Sequence, residues 1–228
     1  MEAKRKAAEK ATEYAQNGMI IGLGTGSTSK WAIQRLGERI KEGLEIKAVA
    51  SSIDSEKLAK SMGIPLIDFS EISSIDLTID GADEVDKECN LIKGGGGALL
   101  REKILAYNSK NFIVIVDESK QVDTLGKFPL PVEVVPFAID FTIKQLKYLG
   151  CEATVRKKNG SNFITDNQNL LLDCQFSKIT QPAMLNELLH LIPGVVETGL
   201  FANSFVTSVI TGFSNGEVNE RIVKPFVS

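Results

Sequence analysis

The sequence is poor in the residues on which several common classes of protein depend. Its three cysteines, Cys89, Cys151 and Cys174, are an odd number without a C-x-x-C spacing. This argues against a disulfide framework or a zinc knuckle and suits a reducing compartment. His190 is the only histidine, so sites that need two imidazole ligands are excluded. A Ser-His-Asp triad would have to use His190 as its base.

Long apolar runs and an excess of positive charge are also missing. Runs such as Met19–Leu23 are far shorter than the roughly 20 residues that cross a bilayer. The acidic residues Glu2, Glu9 and Glu13 are unlike a signal peptide. With 26 Lys and Arg against 29 Asp and Glu, the net charge of -3 gives no general attraction to polyanions. We therefore expect no membrane span, no signal peptide, and neither nucleic acid nor membrane as a partner.

The remaining composition is that of an ordinary globular protein. A chain of 228 residues, 43% of them hydrophobic, has room for one large domain or for one domain with a smaller companion. In the first half, apolar strands alternate with amphipathic helices. We predict strands over 19–23, 46–50, 65–69, 77–80 and 111–117, and helices over 3–16, 27–42, 55–62 and 98–108. This alternation predicts an α/β fold with a doubly wound, mainly parallel sheet that is covered on both faces.

The second half has a different pattern. Pro129 and Pro131 mark a crossing into another lobe. Strands are predicted over 132–135, 152–157, 169–176 and 195–198, with helices over 140–149 and 182–191. The order β-α-β-β-α-β is that of a ferredoxin-like split unit. Because 205–211 is strand-like again, we expect it to return to the first sheet. The predicted domains are therefore 1–127 plus 204–228, and an inserted smaller α+β lobe over 128–203.

A turn rich in glycine and hydroxyl groups joins the first strand to the following helix. Its sequence is Gly22-Leu-Gly-Thr-Gly-Ser-Thr-Ser29. Backbone N–H groups at such a helix start favour an anion such as phosphate, and Ser27 and Thr28 would add hydroxyl donors. A tight strand-to-helix turn without a ligand would have the same small residues. The turn lacks the Gly-Lys-Ser/Thr of a P-loop and fits a dinucleotide fingerprint poorly.

An acidic segment follows the strand predicted to end at Asp80. Carboxylates at the carboxyl ends of parallel strands face the crevice in which such sheets bind ligands. Asp80 and Asp83 would there bind sugar hydroxyls or a divalent cation. A solvated acidic loop is the alternative.

A third segment combines a lysine, four glycines and a helix. Gly94–Gly97 would let the backbone approach a ligand closely, and Lys93 would neutralise developing negative charge. Glu102 shares a helical stripe with Leu99 and Ala106, so partly apolar surroundings would suit it as a base. A surface glutamate is the ordinary alternative.

Lys120 follows the strand predicted over 111–117, and taken alone it indicates no more than a polar loop. The four segments together are expected at the carboxyl edge of one sheet. That combination is typical of a site for a small phosphorylated polyol.

These motifs resemble those of the A-type ribose-5-phosphate isomerase family, in the family's order and over nearly the whole chain. The motifs are Gly24-Thr-Gly-Ser-Thr28, Asp80-Gly-Ala-Asp-Glu84, Lys93-Gly-Gly-Gly96, Arg101-Glu-Lys103, Val116-Asp-Glu-Ser-Lys-Gln121, Gly126-Lys-Phe-Pro-Leu-Pro-Val-Glu-Val134, Pro193-Gly-Val195 and Gly199-Leu-Phe-Ala202. The resemblance implies interconversion of D-ribose 5-phosphate and D-ribulose 5-phosphate in the non-oxidative pentose phosphate pathway. It also implies a Rossmann-like domain, no metal or organic cofactor, and a homodimer or homotetramer.

The resemblance assigns roles to particular residues. Glu102 is the implied proton acceptor, Asp80 or Asp83 would assist ring opening, and Lys93 would stabilise the enediolate oxygen. Implied substrate-binding residues are Thr25, Gly26, Ser27, Thr28, Asp80, Gly81, Ala82, Asp83, Lys93, Gly94, Gly95, Gly96 and Lys120. Lys4 is a further candidate for the phosphate. Gly97 is a departure, because many members of the family have alanine there.

Two other functions stay open at this point. One is a sugar-phosphate effector-binding protein that catalyses nothing. The other is a Mg²⁺-dependent phosphotransferase or phosphatase that uses the cluster Asp80, Asp83, Glu84 and Asp86. The acidic pI and the cysteines suit the cytoplasm, although a plastid protein without its transit peptide would look the same.

Overall fold

The structure is a computed structural model that describes residues 1–227. Its helices are α1 (Glu2–Thr12), α2 (Ser29–Lys41), α3 (Ile53–Ser61), α4 (Leu99–Tyr107), α5 (Ile139–Tyr148) and α6 (Pro182–His190). Its strands are β1 (Ile20–Leu23), β2 (Lys47–Ala50), β3 (Ile75–Gly81), β4 (Glu84–Val85), β5 (Leu91–Ile92), β6 (Ser109–Asp117), β7 (Leu130–Val134), β8 (Glu152–Val155), β9 (Lys157–Lys158), β10 (Ser161–Asn162), β11 (Leu170–Gln175), β12 (Val195–Thr198), β13 (Leu200–Phe201), β14 (Ser208–Gly212) and β15 (Val218–Ile222).

One compact unit comprises Met1–Ala82, Arg101–Lys120 and Asn203–Ser228. Its six-stranded sheet has the order β15-β14-β6-β3-β1-β2. Neighbouring strands are parallel except for the β14–β15 hairpin. The predicted mainly parallel sheet is therefore confirmed. The prediction that the chain returns to this sheet near its end is also confirmed, because β14 pairs with β6.

The core of this unit is made by the apolar strand residues and by small residues on the first helix. Ile21, Ile79 and Ile113 are fully or almost fully buried. Ala7 and Ala11 of α1 are also buried in this cluster. The helix lies so close to β14 that a Cβ on Gly212 would be 1.9 Å from the Ala3 carbonyl oxygen. This packing places the start of α1 at the carboxyl ends of β14 and β6, where Lys4 lies 3.7 Å from Asp117.

The strand predicted over 65–69 is wrong. Leu66 makes only an isolated bridge to Ala48. Proline at position 65 has no N–H to donate to a ladder, and Asp68 accepts a 2.8 Å hydrogen bond from the Ser70 N–H. That bond starts a short 3₁₀ turn at Phe69, so the chain turns instead of extending the sheet.

The second compact unit comprises Asp83–Leu100 and Gln121–Ala202. Its four-stranded antiparallel sheet has the order β12-β7-β11-β8. Together with α5 and α6, these strands follow the predicted β-α-β-β-α-β order. The unit also contains a three-stranded sheet, β13-β5-β4, and the β9–β10 hairpin. The domain boundaries given above for the two lobes stay a prediction.

A buried carboxylate stabilises one loop of the second unit. Glu133 on β7 is completely buried. Its Oε1 accepts hydrogen bonds of 2.9 to 3.1 Å from Thr165, Asn167 and Asn169. The loop before β11 is thus fixed to the centre of the sheet.

Over residues 1–227, no helix is long and apolar enough to cross a membrane.

Candidate active site

The turn after β1 is a cluster of hydroxyl groups around Thr25. The Thr25 Oγ1 lies 2.7 Å from the Ser51 Oγ and 2.8 Å from the Ser52 Oγ. Ser55 donates a 2.7 Å hydrogen bond to the Gly24 carbonyl oxygen. Thr28 is the N-cap of the thirteen-residue helix α2. The first N–H groups of α2 and the positive end of the helix dipole lie at this turn, which is therefore suited to an anion.

Asp80 fixes the conformation of this turn. It is 1% exposed at the carboxyl end of β3. Its Oδ1 accepts hydrogen bonds from the Thr25 N–H at 3.0 Å, the Ser29 hydroxyl at 2.9 Å and the Gly81 N–H at 2.7 Å. The carboxylate occupies the space that a side chain at position 24 would need, because a Cβ on Gly24 would be 2.0 Å from Oδ1. The acidic segment is therefore not a solvated loop at this residue.

Two lysines and an aspartate add charge near the same turn. Lys4 Nζ donates a 3.0 Å hydrogen bond to the Ser27 hydroxyl and lies 3.7 Å from the Asp117 carboxylate. Burial alone would raise the pKa of Asp117. Hydrogen bonds from Ser119 and the positive charges of Lys4 and Lys120 nevertheless hold that pKa below its ordinary value. Asp117 therefore stays ionised at neutral pH and keeps Lys4 directed at the turn.

Glu102 lies on the buried side of α4. It is 3% exposed, and Leu99 and Ala106 on the same stripe are 0% and 3% exposed. Ile104 and Tyr107, on the opposite side, are 46% and 73% exposed. The helix therefore buries the stripe that carries the carboxylate and leaves apolar side chains in water. The alternative interpretation of Glu102 as a surface charge is therefore wrong.

The glycine segment belongs to the second unit. Lys93 follows β5, which pairs with β4 and β13. The prediction that one sheet edge carries all four segments is thus wrong for Lys93, because the chain turns off β3 after Gly81 into strands of two residues each. Lys93 is 2% exposed, with its Nζ 5.4 Å from the centre of the Phe201 ring.

The glycines themselves form a closed turn beside Asp83. The Gly97 N–H donates to the Gly94 carbonyl oxygen at 2.9 Å, and the two glycines have φ values of +85° and +92°. The Asp83 Oδ2 accepts a 2.7 Å hydrogen bond from the Gly95 N–H. A Cβ on Gly95 would be 2.4 Å from Asp83 Oδ1, so only glycine fits there.

The other two acidic residues of this segment, Glu84 and Asp86, accept hydrogen bonds from backbone N–H groups. Glu84 accepts hydrogen bonds from the N–H groups of Gly126 and Phe128. Asp86 accepts them from the N–H groups of Glu88 and Asn90. Within residues 1–227, no three His, Cys, Asp or Glu side chains are grouped as a metal site requires. Asp80, Asp83, Glu84 and Asp86, which were considered for Mg²⁺, therefore do not form such a group.

In the first unit, the structure brings Thr25, Ser27 and Asp80 together with Lys4. In the second, it brings Asp83 against the glycine turn. The contacts of Ser51, Ser52 and Ser55 with the turn after β1 were not predicted from the sequence, although these serines follow β2, where ligand-binding side chains commonly stand. Arg156, which contacts the glycine turn, lies 62 residues from Gly94 and gave no motif.

Comparison with known proteins points to one family. A family model described as ribose 5-phosphate isomerase A (phosphoriboisomerase A) matches residues 47–216. The chain is 53% identical to a ribose-5-phosphate isomerase A from Bacillus mycoides over 217 residues, which are 95% of this chain and 98% of that protein. It resembles the solved ribose 5-phosphate isomerase A from Methanocaldococcus jannaschii with a TM-score of 0.90 at 42% identity, covering 96% of this chain and 97% of that one. A D-ribose-5-phosphate isomerase solved in complex with phospho-erythronic acid gives a TM-score of 0.92 at 41% identity, with the same coverage of 96% and 97%.

Proposed function

The chain belongs to the ribose 5-phosphate isomerase A family and is an isomerase, and on that premise we propose a proton-transfer mechanism for it. The enzyme interconverts D-ribose 5-phosphate and D-ribulose 5-phosphate through an enediolate, without a metal or an organic cofactor. The reaction belongs to the non-oxidative pentose phosphate pathway.

The substrate phosphate binds at the turn Thr25–Thr28. The start of α2, the hydroxyl groups around Thr25 and the ammonium group of Lys4 at Ser27 support this assignment. The phosphate takes no part in the reaction, but the energy of binding it helps to orient C1 and C2, the reacting carbons at the other end of the sugar. The sugar is bound by the residues of three further segments, which are Asp80, Gly81, Ala82 and Asp83, then Lys93, Gly94, Gly95 and Gly96, and finally Lys120.

The chemistry begins with opening of the sugar ring, which Asp80 or Asp83 assists. Glu102 then removes the proton from C2 of the open aldehyde and returns it to C1. Lys93 and neighbouring donors stabilise the negative charge on the enediolate oxygen, and the proton of the C2 hydroxyl group passes to the oxygen on C1, which completes the conversion to the ketose. A single carboxylate suits both halves of the reaction because it takes up and gives back one proton.

The burial of Glu102 is the observation that carries this mechanism. A helix glutamate is ordinarily a surface residue, yet this one is 3% exposed while apolar neighbours on the same helix face water. Charged side chains are rarely buried to this extent outside sites where they have a function, so a catalytic role explains the position of Glu102.

Substitution of Glu102 by glutamine tests the role of the base. The assay follows ribose 5-phosphate conversion with excess EDTA and no added cofactor. We expect Glu102→Gln to lose about three orders of magnitude in kcat with little change in KM, because only the transition state uses the base. Glu38→Gln, at a carboxylate that is 57% exposed, is the control and should keep the wild-type kcat. A Glu102→Gln enzyme with near wild-type turnover would remove this residue from the base role.

The assembly and location of the enzyme are part of the same proposal. We infer a homodimer or homotetramer in the cytoplasm. The catalytic Rossmann-like domain is assigned to 1–127 plus 204–228, and the small lobe to 128–203. The size of the particle in solution, measured by light scattering, tests the first of these inferences.

A further inference from the structure

Arg156 makes an unusual set of contacts for a residue outside every motif of the sequence. Its Nη1 donates hydrogen bonds to the carbonyl oxygens of Gly94 at 3.0 Å and Gly95 at 2.9 Å. Its Nε and Nη2 both bind the carboxylate of Asp173. We propose that Arg156 is a positioning residue of the isomerase, which fixes the glycine turn so that the Gly96 N–H faces the sugar. This inference rests on the function proposed above.

The sheet holds Arg156 in place. Arg156 lies between β8 and β9, its N–H donates to the Leu171 carbonyl oxygen at 2.8 Å, and its own carbonyl oxygen accepts from the Phe163 N–H at 2.8 Å. Asp173 stands on β11 opposite Thr154 of β8. The Arg156 and Asp173 side chains are 15% and 27% exposed, so water screens their pairing only partly. A guanidinium group bound in this way has a fixed plane and fixed donor directions.

The contacts of Arg156 and Asp83 fix one peptide unit from opposite sides. In a trans peptide, the C=O of one residue and the N–H of the next point in opposite directions. The Gly94 carbonyl oxygen is bound by Arg156, and the Gly95 N–H of the same peptide donates to Asp83 at 2.7 Å. Rotation of this peptide would break both bonds. Its orientation therefore depends on Arg156 as much as on Asp83.

The next peptide is oriented by Arg156 as well. Its carbonyl oxygen, that of Gly95, is bound by Arg156, so the Gly96 N–H points away from the guanidinium group. Gly96 is the exposed residue of the turn. Binding of the carbonyl oxygens to a full positive charge also polarises the peptides and strengthens their N–H groups as donors. The turn can then stabilise negative charge on a sugar oxygen without reorganising.

A run of glycines needs such an anchor. Glycine loses more conformational freedom on ordering than any other residue, and four occur in succession here. The closing bond between Gly97 and Gly94 does not by itself fix the orientation of the peptides between them. Two charge-assisted hydrogen bonds from one rigid guanidinium group select one orientation.

The test compares Arg156→Met, Arg156→Lys and Asp173→Asn with the wild type. Arg35→Met is the matched control, since Arg35 also pairs with a carboxylate, that of Glu42, but on α2. We expect Arg156→Met to lower kcat/KM by about 10- to 100-fold, mainly through kcat, because the misdirected donors serve the transition state. Arg156→Lys and Asp173→Asn should show smaller losses, since each keeps a positive charge near the turn. Lysine has no planar guanidinium group, and Asp173→Asn removes the carboxylate that holds this group in one orientation. Arg35→Met should match the wild type.

A second readout separates positioning from general damage to the structure. Phospho-erythronic acid and inorganic phosphate are each measured as competitive inhibitors of every variant. Arg156→Met should bind phospho-erythronic acid about 10-fold more weakly, because the carboxylate of this inhibitor places negative charge where the enediolate oxygen would lie. Inorganic phosphate has no group that reaches the glycine turn and should bind about as tightly as to the wild type. Thermal unfolding identifies any variant that fails to fold, in which case Arg156→Lys and Asp173→Asn carry the test.

Two results would overturn the inference. One is a folded Arg156 variant with wild-type kcat/KM and wild-type affinity for phospho-erythronic acid. The other is an equal loss of affinity for both inhibitors, which would show a structural role alone. Failure of the proposed function is distinguishable, because the wild type itself would then not convert ribose 5-phosphate.

Discussion

At the scale of single residues, one oxygen of Asp80 organises the turn to which the substrate phosphate is assigned. It accepts three hydrogen bonds, from Thr25, Ser29 and Gly81. The absence of a side chain at position 24 is part of the same arrangement, since the carboxylate fills that space. The turn and the carboxylate are thus one structural unit, although they are 55 residues apart in the chain.

Gly24→Ala tests this arrangement. Its Cβ would lie 2.0 Å from Asp80 Oδ1, so the carboxylate must move and lose its donors. We expect a loss of about 1 to 3 kcal/mol in the free energy of unfolding, as in other overpacked sites, and weaker binding of inorganic phosphate. Gly81→Ala is the stability control, because its Cβ would find its nearest neighbour at 3.7 Å. Urea denaturation of the two variants makes the comparison, and equal stabilities would contradict the account.

At the scale of secondary structure, the two ends of the chain meet on the first sheet. The Tyr14 hydroxyl, just after α1, donates to the Glu220 carboxylate on β15 at 2.8 Å. The Tyr14 ring stacks on that of Phe226 with 4.6 Å between centroids. Burial, the hydrogen bond to Glu220 and the negative charge of Glu220 raise the pKa of Tyr14 to about 12. The edge strand β15 is therefore bound to the segment after α1 through the Tyr14 hydroxyl group, which loses its proton at high pH.

The stability of the protein should depend on this tyrosine at high pH. Its pKa is about 12 in the folded protein against roughly 10 in the unfolded chain, so its contribution is complete below pH 10. The contribution is lost as the pH rises from about 10 to 12. We expect Tyr14→Phe to be less stable than the wild type at pH 8, with the difference shrinking above pH 10. Tyr148→Phe, at a side chain that is 73% exposed, is the control. A difference that does not change with pH would contradict the pairing.

Helices and strands with a clear hydrophobic periodicity were predictable from the sequence. Alternating strands and helices predicted the parallel sheet, and the β-α-β-β-α-β order predicted the fold of the small sheet. The two-residue strands β4 and β5 carry no periodicity, so the separate sheet before Lys93 was not predictable. The burial of Glu102 followed from its stripe, whereas the contact of Arg156 with Gly94 depends on tertiary packing that no spacing encodes.

At the scale of the whole molecule, local groups must attract a doubly charged substrate to a protein with a net charge of -3. The overall field offers no steering of anions. Lys4 at the turn and the start of α2 are the local sources of positive potential in the first unit, and Lys93 is one in the second. The proposed mechanism therefore depends on short-range binding and on proton transfer by one buried carboxylate.

The most direct test of that central claim is the fate of hydrogen during turnover in D₂O with excess EDTA. Nuclear magnetic resonance of the ribulose 5-phosphate formed shows whether deuterium is attached at C1. If Glu102 carries the proton between C2 and C1, its carboxyl group exchanges with solvent, so the wild type should place deuterium at C1. Glu102→Gln should place essentially none. A product that keeps the original C2 hydrogen throughout, formed equally fast by Glu102→Gln, would contradict the mechanism and indicate a direct hydride shift.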